Sequence, residues 1–146
     1  MKFLLGLATL SIISLSFNSE AKNIYADVQV TNINPTNNFI WKRENTNTPQ
    51  YPIELARAGI KGCSVLSFVV SESGKAEDVE IINSVPSKHI GKYSRKMLKK
   101  WKWIPTAKSS EPATEKRTLR LDFCFGEESE AQSQLVCKEQ TKLRCN

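Results

Sequence analysis

The stretch that decides the fold is K99-K-W-K-W-I-P-T-A-K-S-S-E-P-A-T-E-K-R-T-L-R-L-D-F-C-F125. It starts as the end of a basic helix and finishes as an alternating strand. Working back from it, Ile90, Tyr93, Met97, Leu98 and Trp101 fall on one side of a helix over residues 88–101, at about 100° per residue. Lys88, Lys92, Arg95, Lys96, Lys99 and Lys100 fall on the other. Ser87 is the expected N-cap. Pro105 ends this pattern, because it restricts the residue before it to extended backbone. Trp101 then closes the apolar side of the helix and Trp103 packs just beyond it. From Lys116 to Phe125 the period becomes two. Leu119, Leu121, Phe123 and Phe125 point to a core, and Arg120, Asp122 and Cys124 point away from it.

The same periodicities assign the residues upstream. Pro52 suits the first turn of a short helix carrying Ile53, Leu55 and Ala56, and Gly59 and Gly62 end it. In G62-C-S-V-L-S-F-V-V70, Ser64, Leu66, Phe68 and Val70 share one face, and Cys63, Val65, Ser67 and Val69 the other. Ser71–Lys75 is a hairpin turn with Gly74 free to take positive φ, and Ala76–Val85 returns. The order helix, strand, strand, helix, strand defines an α+β fold: a three-stranded antiparallel sheet with two helices packed on one face.

The chain has 146 residues, 40% of them hydrophobic and 25% charged, with a net charge of +6. This is a globular composition for one modest core. The charge favours acidic partners or surfaces without choosing among nucleic acid, membrane and protein. Lys2, an apolar run from Phe3 to Phe17, and Ser19 and Ala21 at small-x-small spacing read as a cleaved secretory signal peptide over residues 1–21, with the mature chain starting at Lys22. An uncleaved anchor is the competing reading, although the run is shorter than the ~20 residues of a span. Export makes nucleic acid an unsuitable partner. Residues 22–48 are rich in Asn and Thr. They read as an irregular extension with a short strand in I-Y-A-D-V-Q-V and an aromatic patch in N-F-I-W-K-R. Residues 49–126 form the domain. Residues 127–146 form a tail with a short helix around Ala131–Val136, tied by its cysteines.

Cys63, Cys124, Cys137 and Cys145 are even in number, which in an oxidising compartment suggests two disulfides. A zinc site competes, but the sequence has no CxxC pair and a single histidine, His89. That histidine reads as a surface residue rather than a base. No nucleophile–base constellation suggests an enzyme, and nothing calls for a cofactor or metal. The seven Lys/Arg from Lys88 to Lys102 are either a solvated face or a surface for anionic lipid, peptidoglycan or an acidic protein patch.

Several motifs in order resemble one family. P49-Q-Y-P52, A-G-I-K-G before the first strand, the S-E-S-G-K turn and W101-K-W-I-P105 are similar to the pattern of the C-terminal domain of TonB, the bacterial energy transducer. The resemblance covers about Pro49 to Phe125. It implies a periplasmic module that binds the extended TonB box of TonB-dependent outer-membrane receptors by strand addition, in transport across the outer membrane. In that family the last strand lies at a sheet edge beside the first. Carried to this chain, the partner-binding residues are Gln50 and Tyr51, with Arg117, Thr118, Leu119, Arg120, Leu121 and Asp122 on the edge strand. Main-chain hydrogen bonds give such docking its affinity.

The chain departs from the family in its cleavable signal, its short run before P-Q-Y-P, and its 6 prolines, too few for a spacer across the periplasm. Contact with inner-membrane motor components then runs through another protein. Strand exchange offers a homodimer. The alternative function is an envelope-associated structural or self-associating protein using its basic helix face. With the first and last strands as antiparallel neighbours, Cys63 and Cys124 meet on the face away from the helices. Four cysteines allow three connectivities; the expected bridges are Cys63–Cys124 and Cys137–Cys145, and the alternative links Cys63 or Cys124 to the tail, laying it over the sheet and across the docking edge.

Overall fold

The structure, a computed structural model, describes residues 23–107 and 113–146. The signal segment and the expected start at Lys22 lie outside the described residues. Strand β1 (Tyr25–Asn34) is followed by β2 (Trp41–Arg43), helix α1 (Ile53–Arg57), β3 (Gly62–Val70), β4 (Ala76–Val85) and helix α2 (Ile90–Lys100). After these come β5 (Trp103–Pro105), β6 (Glu115–Gly126) and helix α3 (Glu130–Gln140). The main sheet is antiparallel in the order β1-β6-β3-β4, and β2 and β5 pair as a small second sheet.

The expected α+β module is present, and it is extended at both ends. Its three strands are β3, β4 and β6, and its helices α1 and α2 bury Leu55, Ile90 and Leu98 against Leu66, Phe68, Leu119, Leu121 and Phe123. A buried hydroxyl pair, Ser64 Oγ donating to Ser94 Oγ at 2.6 Å, fixes α2 over β3. Helix α2 begins later than its sequence suggests. His89, not Ser87, is its N-cap residue, and no side chain caps it. At its other end Trp101 turns extended, three residues before Ile104, the position that Pro105 restricts. Trp103 then drops into the core on β5 and pairs with Arg43 of β2. Gly74 takes φ 73° in the β3–β4 turn. Its carbonyl accepts from Trp103 N at 3.0 Å, and a Cβ there would run into the Trp103 carbonyl, so glycine serves both the turn and the close approach.

Two additions change the edges and faces. Part of the supposed irregular extension is β1, ten residues long and paired with β6 from Tyr25↔Gly126 to Asn34↔Thr118. The tail helix α3 is longer than expected. It packs on β6 and β1 from the side opposite α1 and α2, so helices cover both faces of the sheet. Ser129 caps α3 by accepting from Gln132 N at 3.1 Å.

The disulfides join Cys63 to Cys145 and Cys124 to Cys137, which corrects the expected pairing. Cys63 and Cys124 do share the α3 face on neighbouring strands. The register, however, places Cys63 opposite Asp122 and Phe123 opposite Gly62. Cys124 is thus a diagonal neighbour of Cys63, and diagonal partners stand about 7–8 Å apart, too far for a bridge. Each sheet cysteine instead takes a partner from the tail that lies over it.

The candidate docking edge

Strand β6 is hydrogen-bonded to β3 on one flank and β1 on the other. The strand expected at an edge is therefore interior, and the chain's own β1 lies where an added strand was expected. The six β6 residues expected to meet a partner are occupied by the fold itself. Leu119 and Leu121 are buried in the core. Thr118 is half-buried and pairs with Ser67 and Asn34.

Arg117 is buried and tied to three elements. Its Nη1 donates to Trp41 O at 2.7 Å, and its Nη2 donates to Asn32 Oδ1 at 2.8 Å. Its guanidinium lies over the rings of Phe39 (4.3 Å) and Trp103 (4.8 Å), contacts that gain strength when water is excluded. Burial pulls its pKa down, and nearby Glu115 opposes that shift.

Arg120 and Asp122 form a forked ion pair under α3. Nε donates to Oδ2 and Nη2 to Oδ1, both at 2.8 Å. Asp122 is 0% exposed. The guanidinium also donates to Leu143 O (2.6 Å) and Gln140 O (3.0 Å). It thus satisfies carbonyls at and beyond the C-terminus of α3, the end where a cation is favoured. Gln140 Nε2 completes the network, donating to Asp122 Oδ1 at 3.0 Å and to Gly62 O at 2.8 Å. Every strong group in this buried site is paired, as low dielectric requires.

Gln50 and Tyr51 sit apart from this network. Gln50 is exposed and Tyr51 is half-buried. The Tyr51 ring packs edge-on to Phe123 at 5.5 Å and tilted on Phe125 at 4.9 Å. Its hydroxyl donates to Ile60 O at 2.6 Å, and burial pushes the phenol pKa up. Both residues line a groove of about 790 Å³ with Arg43, Tyr93, Lys96 and Trp101. The Arg43 guanidinium stacks 4.6 Å over the Trp101 ring. All seven cationic side chains from Lys88 to Lys102 are exposed.

The sheet edge on this side belongs to β1, which the sequence reading placed outside the site. Val28 and Val30 turn toward the core. Asp27, Gln29 and Thr31 turn toward α3 and, with Ala131, Gln134, Leu135 and Lys138, line a second groove of about 730 Å³. The Asp27 carboxyl is pushed above the usual carboxylate range, mainly by burial and further by Glu130, against a lowering hydrogen bond from Val28 N–H. The alternation of Tyr25–Val30 was the available signal for this strand. Among the described residues no group of three His, Cys, Asp or Glu is placed to hold a metal ion, and no helix is long and apolar enough to cross a membrane.

The fold is an α+β module whose main sheet has β1 and β4 as its edge strands. Residues 47–125 match the family described as Gram-negative bacterial TonB protein C-terminal, and the chain belongs to that family. It is 26% identical over 75 residues to Protein TonB of Pseudomonas aeruginosa, a match spanning 51% of this chain and 22% of that protein. The solution NMR structure of the Pseudomonas aeruginosa TonB C-terminal domain aligns with a TM-score of 0.46 at 24% identity, covering 64% of this chain and 92% of that one. Strand β1 and helix α3 lie wholly outside the matched residues.

Proposed function

We propose that this protein is a periplasmic TonB-like module that binds the extended TonB-box segment of a TonB-dependent outer-membrane receptor by strand addition. It acts in TonB-dependent transport across the outer membrane. The observation that carries this reading is the family match over residues 47–125, on a sheet whose ten-residue strand β1 lies at an edge. Binding is the whole of its task, with no chemical step. Its link to inner-membrane motor components runs through another protein. Gln50 and Tyr51, beside the sheet's β1–β6 side, orient the receptor segment. An incoming strand on this side meets β1 first. It reaches the main chain of Arg117, Thr118, Leu119, Arg120, Leu121 and Asp122 only by displacing β1.

The test is calorimetric titration of the exported chain with a peptide spanning the TonB box of a receptor from the same cell, against a scrambled peptide. Saturable binding of the first alone is the expected result, and equal response to both overturns the proposal. A second reading is favoured by the exposed basic face of α2: an envelope-associated or self-associating protein. Binding to anionic vesicles or peptidoglycan that fades above about 0.3 M salt, where screening is strong, together with no peptide binding, selects that reading.

A further inference from the structure

We infer that the receptor segment adds to the outer flank of β1, within the groove that α3 builds beside it, and not to β6. This rests on the strand-addition reading above and assigns the acceptor to a strand and a helix outside the matched family residues.

Among the described residues no strand pairs with the outer flank of β1 or of β4, and these two edges differ. Strand β4 is blunted: exposed Glu77, Asp78 and Glu80 crowd it, Asp78 is in the left-handed region at φ 50°, and its register against β3 shifts twice. Charges and irregularities of this kind keep strands from pairing. Strand β1 has neither device along most of its length. Its register against β6 runs unbroken from Tyr25 to Asn32, and its one carboxylate, Asp27, turns under α3 and is 6% exposed. An extended segment can pair along its outer N–H and C=O groups for more than two turns of the pleat.

Displacement of β1 is the other route, and the structure opposes it. Val28 is 2% exposed against the core, and Asn32 holds Arg117. Helix α3 lies across both strands. The Cys137 sulfur stands 3.6 Å from Asp27 O and 3.5 Å from Asp122 O and is bonded to Cys124 on β6. A strand leaving β6 would have to slide out from under a covalently fixed helix.

The groove states what the added strand carries. Successive side chains of a strand alternate between faces, so every second side chain of the newcomer enters the space walled by Gln134, Leu135 and Lys138. Leu135 is 64% exposed there, an apolar contact without a cover. The remaining lining is amide, hydroxyl and the Ala131 methyl, with Asp27 and Lys138 of opposite sign. The fit is to an uncharged extended segment with an aliphatic side chain facing Leu135.

The experiment uses the disulfide-bonded chain and the same TonB-box peptide. Gln29→Lys with Leu135→Glu changes two solvent-facing side chains, and oxidised mass with far-UV circular dichroism confirms that the fold is kept. Peptide binding at least tenfold weaker in this double variant is expected. Hydrogen exchange should show new protection on β1 with β6 amides as protected as before. Unchanged binding by the variant, or β1 amides that become exposed when peptide binds, overturns the inference while leaving strand addition standing. Absence of binding in the unaltered chain overturns both. Concentration-dependent dimerisation abolished by the double variant, without peptide binding, assigns the edge to a second copy and overturns the inference as well.

Discussion

The two faces of β6 are built from alternate residues of one strand and are stabilised by different means. Toward α1 and α2 stand Leu119, Leu121 and Phe123, with apolar side chains closing around them. Toward α3 stand Arg120, Asp122 and Cys124, held by an ion pair, a disulfide and the carbonyls of a helix end. The first face is built mainly from the matched family residues, with Val28 and Trp41 added from upstream. The second has meaning only once the tail arrives. Without α3 the Arg120–Asp122 pair would stand on a solvated sheet, and the tail without Cys137 and Cys145 would lose both covalent ties to the sheet. Its outward residues Leu135 and Val136 are exposed, and Ser133 and Cys137 alone are buried along its length. A small domain can thus extend its core on one side by apolar burial and on the other by cross-links.

The largest effect expected from breaking the second face comes from the Cys63–Cys145 bridge. It spans 82 residues, for which the chain-entropy estimate is about 4.5 kcal/mol. Cys63→Ala with Cys145→Ala should lower denaturant stability by that order. The Cys124→Ala, Cys137→Ala pair, with a separation of 13, should cost nearer about 3 kcal/mol. Urea unfolding of both pairs checks the ranking, and a larger loss from the short bridge would show that clamping β1, not loop closure, dominates.

Next is the ion pair. Arg120→Ala leaves the Asp122 carboxylate buried with Gln140 as its remaining side-chain partner, a loss of about 3 kcal/mol. Replacing both residues, Arg120→Met with Asp122→Leu, should recover most of it, because an apolar pair of similar volume often matches a buried ion pair. A double variant as unstable as the single one would mean that the capped carbonyls of Gln140 and Leu143 are what Arg120 chiefly serves.

How much of each face the sequence discloses follows from the same contrast. Alternation in β3 and β6 and the helical stripe of Ile90, Tyr93, Met97 and Leu98 lead directly to the core, because water selects those residues position by position. Even the second face is partly legible, since parity places Cys63, Arg120, Asp122 and Cys124 together. Its partners are not legible. Register between β3 and β6 is offset by two residues from the one that joins Cys63 to Cys124, and nothing local encodes an offset. Tyr25–Val30 alternates, yet alternation does not say which strand lies beside it, so the covered flank of β6 stayed hidden. The apolar residues of α3 are too few to announce a packed helix, because a disulfide does that task.

The smallest expected effect lies where the two additions meet. The Asp27 carboxyl is held above the ordinary value near 3.9, chiefly by burial beneath α3. A group bound more tightly to its proton in the folded state adds stability below the unfolded pKa and loses it as pH rises through the raised folded value. Ionised Asp27 therefore weakens the fold at neutral pH. Asp27→Asn should raise Tm slightly at pH 7 and leave it unchanged near pH 3. A Tm that falls at pH 7 instead would show that the charge is used, with Lys138, which lines the same groove, as the candidate partner.

The pairing of β1 with β6 also sets a timetable. Tyr25 lies opposite Gly126, so a strand made near the beginning of the chain waits for one made near its end. Cys63 likewise waits for Cys145 while Cys124 and Cys137 are already present. Long-range pairings of this kind fold slowly. During the interval β1 has two bare flanks and Cys63 has two wrong partners within reach. Helper proteins that bind nascent strands and reshuffle disulfides therefore have their main opportunity before residue 145 emerges, and the yield of correctly bridged chain depends on how long that interval lasts.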